Sequence, residues 1–352
     1  MKNSSEKMDY SLSIKSKFLF SIITFILVLT IIIITGEILL RIFDPQPYMY
    51  PRWEFSSEYG SLLYKNQSMK NSRPGHFKFT YTINNYRYRG KLIPISNSYE
   101  KENIIILGDS YTFGSGVNDG EEYPAVMSKK LEKNFNVINL GVGAWGLTQQ
   151  IRRYYEFGQL YSPKIIILMY CSNDPEDNLK NKVTIIDNGR FKFQNSNNTI
   201  NWIKKYLSHS IIQKSQLYNF IRDRLYYFFE ERIVNKEIKK STINPNIKDK
   251  IPYKQKFYNN LLELFSNDLK EKGIDFIMIS VPNQLNRFED IKNKVTELNS
   301  QGIINYIETT SWFENLPDNL SLHSPEGHPG KDWHYIIGKN LSEIISSNQL
   351  KH

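Results

Sequence analysis

Short apolar runs place the strongest constraint on what this chain can fold into. They are Asn103–Leu107, Val137–Leu140, Ile165–Tyr170 and Asp275–Val281, with a weaker fifth run at Ile303–Glu308. Stretches with helical periodicity lie between them, at Tyr123–Asn134, Leu147–Gly158, Tyr253–Glu271 and Glu289–Asn299. Strands that alternate with helices in this way form a parallel sheet with helices on both faces. Because crossover connections are almost always right-handed, we predict an α/β fold with a doubly wound parallel sheet sandwich.

A long uncharged segment near the N-terminus predicts a membrane anchor. Residues 18–35 read FLFSIITFILVLTIIIIT, and the apolar character resumes after Glu37 as far as Leu40. This length fits a membrane span of about 20 residues better than a signal-peptide core of about 7–15 residues. The segment continues through GEILLR, which lacks the small residues of a cleavage site. We therefore predict an uncleaved transmembrane helix at Phe18–Leu40.

The charges that flank this segment predict its orientation. Four lysines precede it, at Lys2, Lys7, Lys15 and Lys17, whereas only Arg41 and Arg52 follow it closely. Because positive charge concentrates on the cytoplasmic side, residues 1–17 are predicted to be cytoplasmic. The rest of the chain would then form an extracytoplasmic domain on a single-pass anchor in the cell membrane.

The remaining chain divides into an arm, a main domain and an insertion. Residues 41–98 are rich in Pro, Tyr and Asn and are predicted to form a linker or arm with short strands, of which Phe77–Asn84 alternates most clearly. Residues 99–350 form the predicted main domain. An insertion at about 181–251 begins with a hairpin signal at Asp187-Asn188-Gly189 and continues as a helical stretch rich in Tyr, Phe and Lys. Inserted segments of this kind commonly form a lid over a pocket.

Composition excludes some partners and leaves others open. The formal charge is +9, but the 45 Lys and Arg residues are spread among 36 acidic ones rather than gathered in a basic block. Nucleic-acid binding is therefore not expected. The single cysteine, Cys171, cannot form an internal disulfide, and the sequence gives no indication of an oligomeric state.

The first predicted strand ends in a loop that carries candidate chemistry. Residues 104–117 read IIILGDSYTFGSGV. Ligands of doubly wound sheets bind beyond the carboxyl ends of the strands, where Ser110 would present its hydroxyl and Asp109 would support the turn. A simple helix cap is an alternative interpretation of this loop. A phosphate loop is less well supported, because neither GxxxxGK[ST] nor GxGxxG is present.

Two further loops add polar or backbone groups at the same edge. The second, NLGVGAWG at 139–146, contains three glycines that allow the backbone to approach a ligand. The third places Asn173 after the strand IIILMY, where its amide could donate to an oxyanion or cap a turn before Asp-Pro.

A serine nucleophile needs a base, and the C-terminal SPEGHPGKDWHYIIGKNL supplies histidines. His328 lies in a loop, and Glu326 could accept from its second ring nitrogen. Asp318 or Asp332 could take the place of Glu326. A metal site built from His323, His328 and His334 is the other alternative, although its spacing matches no zinc signature.

These blocks, in this order, resemble the SGNH or GDSL-like hydrolase superfamily. The resemblance covers about residues 84–343, and its most specific parts are IIILGDSYTFGSGV, NVINLGVGAWGLTQQ, ILMYCSNDPEDN and EGHPGKDWHYIIG. It implies a flavodoxin-like fold and acyl transfer through an acyl-enzyme, without metal or organic cofactor.

By position, the resemblance implies a role for each of these residues. Ser110 would be the nucleophile, His328 the base and Glu326 the orienting acid. The oxyanion donors would be the Ser110 N–H, the N–H of Gly143 or Ala144, and the Asn173 side chain. The chain departs from the family in its acid, which is usually Asp three residues before the histidine.

We therefore expect a membrane-anchored serine esterase acting on O-acyl groups, notably O-acetyl, of a glycan or lipid. An O-acyltransferase with the same site is one alternative. The other is a non-catalytic glycan-binding or assembly protein that retains the fold.

Overall fold

Five parallel strands form the centre of the structure, a computed structural model that describes residues 13–50, 53–97, 100–196, 211–225, 232 and 252–347. The strands are β6 (Glu102–Leu107), β7 (Phe135–Asn139), β8 (Ile165–Tyr170), β11 (Asp275–Ser280) and β12 (Asn305–Ile307). Their order across the sheet is β12-β11-β8-β6-β7. This is the flavodoxin-like order, in which the direction of winding reverses between the first and third strands. The predicted fold class is confirmed.

Helices cover both faces of this sheet. They are α2 (Ser110–Phe113), α3 (Tyr123–Lys130), α4 (Leu147–Glu156), α5 (Asp174–Lys180), α6 (Tyr253–Glu271), α7 (Glu289–Ser300) and α8 (Lys331–Ser346). Side chains of a strand alternate between faces, so Ile105 and Leu107 pack with α4, α6 and α7, whereas Ile104 and Ile106 pack with α3 and α8. The two resulting cores explain why the central strands read as continuous apolar runs.

The N-terminal helix α1 (Ile14–Phe43) is long and apolar enough to cross a membrane. Its 30 residues span about 45 Å, more than the ~30 Å hydrocarbon core of a bilayer. None of its residues is buried within the structure. The predicted span Phe18–Leu40 lies inside this helix.

Residues that follow α1 form antiparallel strands rather than an extended tether. These strands are β1 (Tyr48–Tyr50), β2 (Glu54–Ser56), β3 (Gly60–Leu62), β4 (Gln67–Arg73) and β5 (Phe77–Ile83). β1, β4 and β5 form one sheet in the order β1-β4-β5, and β2 pairs with β3. Single bridges from Arg89 to Ile83 and to Asn139 connect this N-terminal sheet to the edge of the parallel sheet.

The insertion begins with the predicted hairpin, formed by β9 (Thr184–Asp187) and β10 (Arg190–Phe193). Asn188 and Gly189 both have positive φ, as a tight hairpin turn requires. The hairpin packs against α4, where Phe191 and Phe193 contact Tyr155. Of the predicted helical stretch, the structure describes a 3₁₀ turn (Ile211–Lys214) and a helix at residues 216–225. Residues 197–210, 226–231 and 233–251 lie outside the described part.

Arg89 is the buried residue on which the joint between the two sheets depends. Its guanidinium donates to the carbonyls of Phe113, Gly114 and Val117 and faces the buried carboxylate of Glu122 at 3.4 Å.

We expect Arg89→Ala to lower the free energy of unfolding by about 3–5 kcal/mol, because it leaves a buried carboxylate without its counter-charge. Urea denaturation of the part of the chain that follows α1 would measure this change. Arg190→Ala, at an exposed position of β10, serves as the control and should change the free energy by less than about 0.5 kcal/mol. An Arg89 variant as stable as this control would contradict the assigned role.

Candidate active site

Ser110 stands at the point where the first parallel strand gives way to a helix. β6 ends at Leu107, and Ser110 is the first residue of α2. The turn is tight, since a Cβ on Gly108 would lie only 2.1 Å from the Thr112 hydroxyl oxygen. Asp109 caps the helix by accepting from the N–H of Tyr111 at 2.9 Å. The strand and its cap therefore fix the serine at the carboxyl edge of the sheet, beside the point where winding reverses.

His328 and Glu326 approach Ser110 from the loop that precedes α8. The Nε2 atom of His328 lies 3.0 Å from Ser110 Oγ, and its Nδ1 atom lies 2.9 Å from Glu326 Oε2. This is an unbroken line of hydrogen bonds from hydroxyl to imidazole to carboxylate. Such a line can draw a proton from the hydroxyl and stabilise the imidazolium that forms.

The loop that carries these residues is held in a tight conformation. Ser324 accepts from the Glu326 N–H through its hydroxyl at 3.1 Å and donates its own N–H to the His328 carbonyl at 2.8 Å. Gly327 has a φ of +97° between the two catalytic candidates. Gly116 packs directly against this turn, because a Cβ there would lie 2.6 Å from Ser324 Oγ. The loop that follows Ser110 and the loop that carries Glu326 and His328 therefore pack closely against each other at Gly116.

The electrostatics of the site favour protonation of His328. Burial acts to lower its pKa, but the hydrogen bond to Glu326 and the negative charges of Glu326 and Asp109 outweigh burial and raise the pKa above 6.5. The Glu326 side chain is only 13% exposed. A partly buried carboxylate thus holds the imidazole and increases its basicity.

Gly143 is the backbone element nearest to the serine in the second loop. A Cβ at Gly143 would lie 3.7 Å from Ser110 Cβ, so a side chain there would crowd the hydroxyl. The neighbouring Ala144 is exposed and has a φ of +62°, a left-handed conformation that is unusual for alanine. Within the described residues, the N–H groups of Ser110, Gly143 and Ala144 donate to no acceptor of the protein. They are accordingly free to donate to a ligand.

Asn173 reaches the same edge of the sheet, but its amide nitrogen already has acceptors. It donates to Asp109 Oδ2 at 3.1 Å and to Asp177 Oδ2 at 2.6 Å. These two bonds place the amide next to the residue that precedes Ser110. They also use both of its hydrogens, so donation to a ligand requires one of them to be released.

The other polar candidates from the sequence lie apart from this line. Asp332 accepts from the Ser321 N–H at 2.7 Å, and Asp318 is exposed. His334 is buried and stacked on Tyr123, and burial lowers its pKa to about 3. His323 is exposed. In the described part of the chain, no group of His, Cys, Asp and Glu side chains is arranged to hold a metal ion.

The N-terminal sheet contributes residues that the sequence did not indicate. Asn71 of β4 donates through Nδ2 to Glu326 Oε1 at 2.7 Å and to the Tyr81 hydroxyl at 3.2 Å. The Tyr81 hydroxyl in turn accepts from the Gly116 N–H at 3.1 Å. Asn71 and Glu326 are 255 residues apart in sequence, and nothing in the polar run QSMKNSR marks the asparagine as special.

Trp53 is the second contribution of the N-terminal segment. Its ring lies 3.3 Å from the position of a Cβ on Gly143, beside the serine, and contacts Phe113 edge-on at 6.2 Å between ring centroids. The Trp53 ring, the aromatic wall of the site, therefore borders the space in front of Ser110.

Comparison with models of known protein families and with curated protein sequences gives no match. Solved structures do show similarity. A protein described as lipolytic and of the G-D-S-L family from Desulfitobacterium hafniense is 12% identical with a TM-score of 0.41, over 69% of this chain and 99% of its own. An acetylxylan esterase from Geobacillus stearothermophilus is 14% identical with a TM-score of 0.39, over 69% and 93% of the two chains.

A third solved structure, a GDSL-like lipase from Bacteroides thetaiotaomicron, is 9% identical with a TM-score of 0.38, over 73% of this chain and 93% of its own. The chain is thus similar in structure to GDSL-family proteins and esterases. At these values the similarity carries no inference about activity or substrate.

The contact between Asn71 and Glu326 generates a prediction about positioning. We expect Asn71→Ala to lower kcat for a small ester by about tenfold, equivalent to ~1.4 kcal/mol, because the carboxylate loses a donor that fixes its orientation. The acid limb of the pH profile, which reports the pKa of His328, should also move to lower pH, because a carboxylate that spends less time against Nδ1 raises this pKa less. Steady-state kinetics over a pH series would measure both changes.

Lys70→Ala is the matched control, because Lys70 is the neighbour of Asn71 on the exposed side of β4. It should leave both kcat and the pH profile unchanged. A uniform loss of activity in Asn71→Ala, with no displacement of the acid limb, would indicate a structural role only.

The raised pKa of His328 generates a prediction about pH. Activity should fall as the pH drops through this pKa, because only neutral imidazole accepts the serine proton, and the midpoint in kcat/KM should lie above 6.5. Glu326→Gln removes the opposing charge, so burial should then lower the midpoint below that of the wild type and reduce the maximal rate. An unchanged midpoint would argue against Glu326 as the partner of His328.

Proposed function

We propose that this chain is a serine acyl-ester hydrolase that acts through an acyl-enzyme. The observation that carries the proposal is the line of hydrogen bonds from Ser110 through His328 to Glu326. Its members come from distant parts of the sequence and meet at the carboxyl edge of a doubly wound sheet, where ligands of such folds bind.

In the proposed reaction, Ser110 Oγ attacks the ester carbonyl while its proton passes to His328 Nε2. The imidazolium then donates this proton to the leaving alcohol, and the C–O bond of the ester breaks. Water next attacks the acyl-enzyme and gives one proton to His328. The imidazolium returns this proton to Ser110 Oγ as the bond between the acyl carbon and Oγ breaks, which releases the carboxylic acid and restores the serine. The Glu326 carboxylate stabilises the imidazolium through its contact with Nδ1.

The free N–H groups of Ser110 and Gly143 support a role in stabilising the oxyanion. Ala144 is the alternative donor in the same loop, and Asn173 would join when the hydrogen that it shares with Asp109 turns to the substrate. Removal of one such donor typically costs about 10²–10³ in rate. Neither a metal nor an organic cofactor takes part in the proposed chemistry.

The substrate class that we propose is an O-acyl ester, notably O-acetyl, on a glycan or lipid. Trp53 beside Gly143 supports a short acyl group, because the aromatic wall limits the space next to the serine. An acyltransferase would use the same acyl-enzyme with a sugar hydroxyl in place of water. Release of the acid without an acceptor distinguishes hydrolysis from transfer.

We also propose that α1 anchors the protein in the cell membrane with residues 1–17 in the cytoplasm. The four lysines that precede Phe18 support this orientation, which places the catalytic domain outside the cytoplasm. Fusion of a reporter to either terminus would test it.

The decisive test is labelling with a serine-reactive fluorophosphonate. We expect the wild-type protein to be labelled and Ser110→Ala and His328→Ala to lose at least about 10³-fold in ester turnover, because each removes a member that the others need. His323→Ala is the control histidine and should retain labelling and activity. A folded wild-type protein that is neither labelled nor active on short esters would favour the non-catalytic alternative.

A further inference from the structure

The N-terminal sheet is fastened directly to the end of α1. Arg73, at the end of β4, donates through Nε to the carbonyl of Pro45 at 2.7 Å and pairs through Nη2 with Asp44 at 3.1 Å. Asp44 and Pro45 are the two residues that follow α1. The chain then enters β1 within three residues, and β1 pairs with β4. No long flexible segment separates the apolar helix from this sheet.

The same strand also contacts the candidate active site. Asn71 and Arg73 are two residues apart, so both point to one face of β4, with Cα atoms about 7 Å apart. Asn71 donates to Glu326, whose other oxygen contacts His328. One short strand therefore joins the end of the apolar helix to the carboxylate that orients His328.

A second contact fixes the apolar helix from another direction. Glu37, in the last two turns of α1, accepts from Ser215 Oγ at 2.8 Å and from the N–H groups of Gln216 and Leu217 at 3.0 and 2.9 Å. These donors form the N-terminus of the helix at residues 216–225, where a carboxylate is favourable. Next to Glu37, a Cβ on Gly36 would lie 3.6 Å from the Leu217 side chain, so the two helices touch.

The helix at residues 216–225, like α1, exposes apolar side chains. Ile221 and Leu225 are 47% and 48% exposed and, being four residues apart, lie on one face. On α1, Ile42 and Phe43 are 65% and 77% exposed. Both helices thus expose apolar side chains, and a bilayer that surrounds the end of α1 would also contact Ile221 and Leu225.

We infer that the active site is rigidly mounted at the membrane surface and that its substrate is an acyl ester on a lipid-borne head group. This inference rests on the proposed function and on α1 as a membrane span. A domain on a flexible tether could reach polymers far from the bilayer. A site fastened through Arg73, Asn71 and Glu37 reaches esters held at the surface.

The test compares the full-length protein in phosphatidylcholine vesicles with an uncoupled variant, in which α1 is no longer held against the N-terminal sheet and the helix at residues 216–225. The variant carries a Gly/Ser segment of about 20 residues between Phe43 and Asp44, with an r.m.s. reach of ~25 Å, together with Glu37→Ala. Two probes present the same ester, an O-acetylated alkyl glucoside held in the vesicles and an O-acetylated methyl glucoside in solution. We expect the variant to lose about tenfold on the vesicle-held ester and less than about twofold on the soluble ester, because only the first depends on position.

A matched control carries the same Gly/Ser segment between Ser13 and Ile14, on the other side of the apolar helix. It should behave as the wild type with both probes. An equal loss of hydrolysis rate on both probes would overturn the inference. So would an uncoupled variant that is as active as the wild type on the vesicle-held ester. Failure of the proposed function looks different, since the wild type would then hydrolyse neither probe.

Discussion

A single buried guanidinium connects the segment that follows α1 to the loop that carries Ser110. Arg89 is 1% exposed, lies over the ring of Tyr81 at 4.6 Å and donates to three carbonyls of the loop at residues 113–117. A planar group with five donors can satisfy several carbonyls at once, which a lysine cannot do. The buried carboxylate of Glu122 and the more exposed Asp119 supply the opposite charge. Both the N-terminal sheet and the serine loop depend on this contact for their relative position.

Buried groups next to Ser110, among them Asp109 and Cys171, support the loop that carries the serine. Burial raises the pKa of Asp109, although hydrogen bonds from the Tyr111 N–H, Asn173 and the Cys171 thiol oppose this effect. Burial and the nearby carboxylates raise the pKa of the Cys171 thiol well above its ordinary value. A thiol in this state is a donor and not a nucleophile. The lone cysteine thus belongs to the support of the serine loop.

The parallel sheet could be predicted from the sequence because its signal is local. Each apolar run of the main domain matches a strand, and the interval Tyr253–Glu271 is the helix α6 itself. The predicted end of a helix is less accurate where a strand follows closely. α3 is predicted to end at Asn134 but ends at Lys130, because β7 already begins at Phe135. Ser110, His328 and Glu326 could likewise be proposed from their loops. Their mutual distances depend on tertiary packing and had to come from the structure.

Asn71 could not be predicted, because its importance lies in a contact across 255 residues. Residues 41–98 resemble a linker in composition, rich in Pro, Tyr and Asn, and no periodic pattern distinguishes Asn71 from Asn66 or Asn84. Its inward position follows only from the register of β4 with β1 and β5. The same applies to Trp53, whose relation to Gly143 no local pattern encodes.

The residue that orients His328 is a glutamate, Glu326, and this explains why the N-terminal sheet contributes a contact to the site. Glutamate has one more methylene than aspartate, so it reaches His328 Nδ1 from only two residues away, but it also has an additional torsion to restrain. A freely rotating carboxylate would spend less time in the orientation that holds the imidazole. Asn71 supplies a restraint by binding the second oxygen at 2.7 Å, and the Ser324 hydroxyl fixes the backbone of Glu326. A glutamate at this position therefore needs a partner from outside its own loop, and the strand that provides the partner is the one fastened to α1.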